Sequence, residues 1–168
     1  LSLFLNFYHL EKKFQIRYKF LSSLFDDLIG LWRIKRSIST HAVSSGIAFI
    51  KKNKLREIVL QEKFLTNINK KNIIFGENKY LIKKNKKELE FFFNTGPDVG
   101  KLFQKFRLNK KSDSSFYYCL KDTYQTTFYW VNKNYFRITH KIKGVNKNLF
   151  INSHYYKTNN IRLFNEFT

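Results

Sequence analysis

Apolar positions in the first third of the chain recur at helical spacing. Leu24, Leu28, Leu31 and Trp32 fall on one face of a 3.6-residue repeat. Ser23 offers a hydroxyl to the first free amides, and Asp26 three residues later completes a capping box. Arg33, Lys35 and Arg36 load the last turn of that predicted helix, where cations complement the dipole. Ile47, Ile50, Leu55, Ile58 and Val59 form a second stripe, which predicts a helix from near Ser45 to Lys63 with 64–68 as the strand leaving it. Beyond this point the period shortens to two. Ile73, Ile74 and Phe75, then Gly76-Glu77-Asn78, then Tyr80, Leu81 and Ile82 read as a hairpin-like unit. The run 83–87 is basic and solvated, Asn94-Thr95-Gly96-Pro97-Asp98 is a turn, and 99–108 is predicted as a short amphipathic helix.

The C-terminal third carries the densest strand signal. Runs at 116–121, 126–131 and 135–140 are separated by turn-rich breaks of hairpin length and predict an antiparallel meander. Residues 148–151 add a fourth strand, and 158–168 read equally as a short helix or a tail. A chain of this size buries roughly 70% of its unfolded surface, enough for one domain or two small lobes. The expected fold is α+β: a small helix-plus-sheet N-terminal lobe, then a mainly antiparallel β lobe, with an insertion between them. The divisions are an extension at 1–20, the N-terminal α/β lobe at 21–68, the insertion at 69–112 and the C-terminal β lobe at 113–168.

Charge changes the picture next. Thirty-two Lys and Arg face 12 Asp and Glu, a net charge of +20 over 168 residues. Such an excess favours a polyanionic partner, and RNA is the common one, although an AT-rich genome also writes Lys, Asn, Ile, Phe and Tyr by default. Methionine is absent and Leu stands at position 1, which together with this composition leads to the expectation of a mitochondrially encoded protein of the matrix. The single Cys119 excludes an internal disulfide framework and a Cys-based zinc site, and reads as a buried strand residue. No segment reaches the roughly 18 to 20 uninterrupted apolar residues of a membrane-spanning helix, so no membrane role is expected.

Four short motifs then resemble a known family. Val131-Asn132-Lys133-Asn134-Tyr135-Phe136-Arg137-Ile138 resembles the Val-Ser-Lys-Pro-Gly-Leu-Arg-Val signature of small-subunit ribosomal protein S-eight of the bacterial and organellar type. Leu31-Trp32-Arg33-Ile34-Lys35 is similar to the Met-Leu-Thr-Arg-Ile-Arg near the end of that family's first helix. Residues 58–65 resemble the exit from its second helix, and 116–122 the strand before the signature. The family's Ser-Thr-Ser-x-Gly-x-Met-Thr loop corresponds to Ile151-Asn152-Ser153-His154-Tyr155-Tyr156-Lys157-Thr158, which keeps Ser153 and Thr158 but has Tyr155 at the glycine. The family's closing strand has no counterpart before Thr168.

The resemblance implies a structural, non-catalytic component of the mitochondrial small ribosomal subunit that binds the central domain of its RNA beside neighbouring ribosomal proteins. Its expected RNA-binding residues are Arg33, Lys35, Arg36, Lys133, Arg137, Asn152, Ser153, His154 and Thr158. Lys133 in a turn reaches a phosphate, and Arg137 points away from the apolar side of its strand. The competing reading is a soluble accessory subunit of a respiratory complex. No enzyme, cofactor, metal site or small-molecule substrate is expected: the four histidines lack ligand spacing, and Asp26-Asp27 suits helix capping. Of Tyr117, Tyr118, Tyr129, Trp130 and Tyr135, alternation assigns half to the core.

Overall fold

The computed structural model describes residues 24–160 apart from 56, 69–71, 86 and 109. Ten strands fill most of this length: β1 Gly30–Ile38, β2 Val43–Lys52, β3 Ile58–Ile68, β4 Asn72–Asn85, β5 Glu88–Phe93, β6 Leu102–Arg107, β7 Ser112–Cys119, β8 Asp122–Asn132, β9 Tyr135–Gly144 and β10 Lys147–Thr158. They form a single antiparallel sheet in the order β6-β5-β4-β3-β2-β1-β10-β9-β8-β7. Every pairing joins strands adjacent in sequence except that of β1 with β10, which brings the two ends of the described chain together in mid-sheet.

The sheet's own ends, β6 and β7, meet through side chains. The Lys105 amide donates to Ser115 Oγ at 3.0 Å and the Arg107 amide to Asp113 Oδ2 at 2.8 Å. The Arg107 guanidinium donates to both oxygens of the same carboxylate, at 3.0 and 2.7 Å. Side-chain acceptors on β7 thus satisfy β6 amides that a regular ladder would pair with carbonyls, and the barrel is nearly closed.

This architecture replaces the expected α+β fold. Among the described residues the only helix is one turn, α1, at residues 24–27, with the Leu28 amide donating to Leu24 O at 3.1 Å. Residues 30–38, assigned above to that helix, are β1: Trp32 and Ile34 are buried with 0% exposure while Arg33 and Lys35 are exposed, a period of two. The predicted second helix is β2, a turn and β3. Asn53 makes that turn, its Oδ1 accepting from the Leu55 and Glu57 amides at 3.0 and 2.9 Å. Ile50 and Ile58 are buried while Leu55 stands out on the turn, so their helix-like spacing is coincidental.

Gly76 is not a hairpin tip but lies inside β4, opposite Phe64, whose ring would come within 2.3 Å of a Cβ placed there. On the other side of Phe64, across β2, Gly46 leaves equally little room, 2.2 Å to the Lys63 carbonyl. Two glycines thus let one aromatic side chain lie close against three strands. The segment 99–108 holds β6, and 69–112 as a whole contributes β4, β5 and β6 to the sheet. The antiparallel meander of the C-terminal third forms as β7 to β9, with β10 much longer than 148–151. Cys119 ends β7 half-buried. The extension 1–20 lies outside the described residues, as do residues 161–168.

Inward side chains fill one end of the barrel. Leu24 of α1 and Leu28 just after it join Trp32, Ile34, Ile50 and Ile58 on one wall and Phe128, Trp130 and Phe136 on the other. Trp32 and Phe136 meet edge to face at 4.7 Å, and the Trp32 indole donates to Leu28 O at 2.8 Å. At ~1.5–3 kcal/mol for each large apolar side chain fully buried, this floor is the main stabiliser of the fold.

Candidate ligand-binding cavity

Further along the same strands the inward positions turn polar. Arg36 follows Ile34 on β1, Glu62 follows Leu60 on β3, and Thr126 and His140 face each other on β8 and β9. With Asn78, Tyr80 and Tyr155 they line a cavity of about 300 Å³, and Phe91, Phe103 and Phe106 supply its aromatic wall. That volume is at the low end of the ~300–1,000 Å³ common for small-molecule sites.

One ion pair sits in this interior. Arg36 Nη2 donates to Glu62 Oε2 at 3.2 Å, with the two side chains 9% and 4% exposed. Asn78 Nδ2 donates to the same oxygen at 3.2 Å, and the Tyr155 hydroxyl makes a short bond to Glu62 Oε1. Arg36 Nε donates to Ser153 Oγ at 2.8 Å, and its guanidinium lies 4.6 Å over the Phe64 ring. Burial alone would push the Glu62 carboxyl up. The Arg36 charge and the donated hydrogen bonds outweigh it, so Glu62 stays below the ordinary carboxylate range and ionised. Burial likewise works against the Arg36 charge, and Glu62 more than restores it.

His140 carries no charge at neutral pH. Burial, with the nearby Arg36 charge second, lowers its pKa to about 4, and its Nδ1 lies 2.8 Å from Thr126 Oγ1. Tyr124 also lines the cavity, and a further polar group comes from a β-bulge. The register between β5 and β6 slips at Phe91/Phe92, so that Gln104 pairs with Phe91 and Leu102 with Phe92. Phe103 is the extra residue, and both it and Gln104 line the cavity. Phe103 packs 4.6 Å from Phe93, 5.7 Å from Tyr80 and 6.3 Å from His140. Gln104 is 2% exposed, and neither atom of its amide has a hydrogen-bond partner.

The nine residues expected to bind RNA do not all gather in one place: five share an outer face of three neighbouring strands, where Lys35, His154 and Arg137 stand side by side. Arg36 and Ser153 point into the barrel and bond each other. Arg33, Lys35, Arg137, Asn152 and His154 lie on the outer face of β1, β9 and β10, Lys133 is exposed in the β8–β9 turn, and Thr158 ends β10. The guanidinium groups of Arg33 and Arg137 lie over the Tyr156 and Tyr129 rings at 5.8 and 4.1 Å. Tyr135 bonds His154 Nδ1 at 2.7 Å and stacks on Tyr156 at 5.0 Å. Glu62, Gln104, His140, Thr126 and Tyr155 were missed. The available signal was a polar residue at an inward place in an alternating run, as in Ile58-x-Leu60-x-Glu62-x-Phe64. Among the described residues no three His, Cys, Asp or Glu side chains gather to hold a metal.

A ten-stranded antiparallel β-barrel with an apolar floor and a partly polar internal cavity is the class that fold and site define. The chain belongs to the family described as "Family of unknown function (DUF6314)", whose model matches residues 28–157. No curated protein matches the sequence. Among solved structures it is similar to the S-type phycobiliprotein lyase CPES from Guillardia theta, with a TM-score of 0.61 and 10% identity over 82% of this chain and 92% of that one. It is also similar to a DUF3598-family protein of unknown function from Nostoc punctiforme, with a TM-score of 0.55 and 9% identity over 79% of this chain and 48% of that one.

These findings overturn the ribosomal reading. The motifs resembling helix ends in the S-eight family, 31–35 and 58–65, lie on strands β1 and β3, and the family model that matches is a different one. In a chain this rich in Lys, Ile and Phe, four short matches arise from composition. The partnership with small-subunit RNA and ribosomal proteins falls with the fold, and so does the respiratory-subunit alternative, neither having any support in the barrel or the family. The expectation of no small-molecule ligand is corrected by the cavity itself, which leaves room for one inside the barrel.

Proposed function

We propose that this protein binds a small, mostly apolar, uncharged molecule inside its barrel. The observation that carries the reading is the cavity: about 300 Å³, walled by aromatic rings, with a few buried polar groups converging on it. Barrels of this general size are just wide enough to hold one small ligand, and an interior filled only for stability would be packed to its end. The wall favours a neutral guest because its charges cancel. Arg36 is matched by Glu62, and His140 is neutral, so an ionised ligand would lose its hydration without gaining a counter-charge. The likeness to the lyase supports the scaffold only. In this reading the ligand is held unchanged, since Glu62 is committed to Arg36, Asn78 and Tyr155, and His140 Nδ1 is shared with Thr126.

Titration with the neutral dye 7-diethylamino-4-methylcoumarin tests this by its fluorescence. The expected outcome is saturable one-to-one binding that weakens at least about tenfold in an Ile151→Trp variant, whose indole takes up part of the cavity while far-UV dichroism stays unchanged. Binding that is absent, or that the filled variant leaves untouched, contradicts the proposal.

A further inference from the structure

Buried amides in folded proteins are almost always hydrogen-bonded, and one left without a partner calls for an explanation. Gln104 is such a case, with both Nε2 and Oε1 unpartnered at 2% exposure on the cavity wall. Its position is not an accident of a regular strand. Successive side chains of a strand point to opposite faces, so Phe103 and Gln104 share the cavity only because the bulge opposite Phe91/Phe92 makes Phe103 an extra residue on β6. Several of the polar groups around them are occupied. Both Glu62 oxygens accept bonds, Arg36 donates to Glu62 and Ser153, and His140 Nδ1 meets Thr126. The remaining buried unpartnered atoms among the described residues, on Asn67 and Asn152, are not on this wall.

We infer that Gln104 is the specificity-determining residue of the cavity, and that its ligand presents an N–H beside a C=O, as a lactam, imide or primary amide does. The inference rests on the interior binding proposed above. A carboxamide offers one acceptor and a donor side by side, and its full complement is a second amide edge, joined through two parallel hydrogen bonds. A carboxylate supplies no donor for Oε1 and brings a charge that Arg36, already paired with Glu62, does not balance. An ammonium leaves Nε2 unmatched. The flat walls made by Phe91, Phe103 and Phe106 suit a planar body attached to that edge.

Two bicyclic probes of the same shape separate the possibilities. 2-Quinolone carries the N–H and C=O edge, whereas coumarin has a ring oxygen in place of the N–H. Calorimetric titration of the full chain is expected to show 2-quinolone binding roughly tenfold or more tightly, the cost of leaving a buried acceptor unpaired. Gln104→Leu should bring the ratio near one while coumarin still binds, and Gln104→Met, closer in shape to glutamine, should do the same. Equal affinities in the unmodified protein, or a preference that survives both substitutions, would overturn the role of Gln104 and leave interior binding standing. If neither probe binds, interior binding and the inference built on it both fail.

Discussion

Among single residues, the balance between Arg36 and Glu62 matters most for what the interior can accept. Two buried charges cost more to desolvate than a surface pair, and removing one partner exposes that cost in full. Glu62→Gln leaves the Arg36 guanidinium uncompensated and should destabilise the barrel by ~3–5 kcal/mol in urea unfolding. The double variant Arg36→Met with Glu62→Leu should lose clearly less than the two single changes added together, because no charge is stranded. Equal additive losses would mean that the pair contributes only its packing. Because Glu62 is held below the ordinary value of 4.5, its share of stability is present above that pH and fades as the pH falls toward its native pKa.

His140 works in the same direction at higher pH. Its proton is taken up near 6.5 in the unfolded chain and only near 4 in the barrel, so stability is greatest above 6.5. It should decline across that interval by up to ~1.4 kcal/mol per pH unit. His154, also lowered by burial and then by Arg137, adds to the slope. Unfolding free energies measured from pH 7 to 4 should therefore fall less steeply in His140→Gln, with the His154 share remaining. An unchanged slope would show that His140 is not the buried neutral group described.

For the strands, the weak place in the barrel is the β6–β7 seam. Arg107 and Asp113 form a two-point contact there, and the same carboxylate accepts the Arg107 amide. Asp113→Ala deletes all three bonds at once and should cost about 1–3 kcal/mol, with faster amide exchange at Arg107 than on β9 or β10. Asp113→Asn keeps an acceptor for the amide and should cost less.

The sequence showed these elements unevenly. On β8 and β9 the alternation is strong: Phe128, Trp130, Phe136 and Ile138 face in, while Tyr129 and Arg137 face out, and the meander was readable. On β1 the same alternation was hidden because Leu24, Leu28 and Trp32 also satisfy a helical repeat, and a single helical turn does begin there. Gly30 was the overlooked signal. With φ at 139° it breaks the helix and starts the strand, a conformation that favours glycine. The bulge that brings Phe103 and Gln104 together leaves no mark in the pattern, so the residue with unpartnered amide atoms could not be read from it.

Across the whole molecule, the +20 charge was the loudest sequence feature and the least informative about fold. Cations such as Arg33, Lys35 and Arg137 occupy outward strand positions, which are compatible with many architectures. The cavity was silent for the opposite reason. Glu62 and Tyr155, which bond each other, stand 93 residues apart, and only the closure of β1 on β10 brings their walls together. What the barrel encloses decides the function proposed for it, and nuclear Overhauser contacts between bound coumarin and assigned isoleucine methyls report that position. Contacts to Ile138, Ile142 and Ile151, which line the cavity, with none to the exposed Ile73 and Ile74, are the expected result. Contacts confined to Ile73 and Ile74, or no contacts at all, would place the ligand outside the barrel and contradict interior binding.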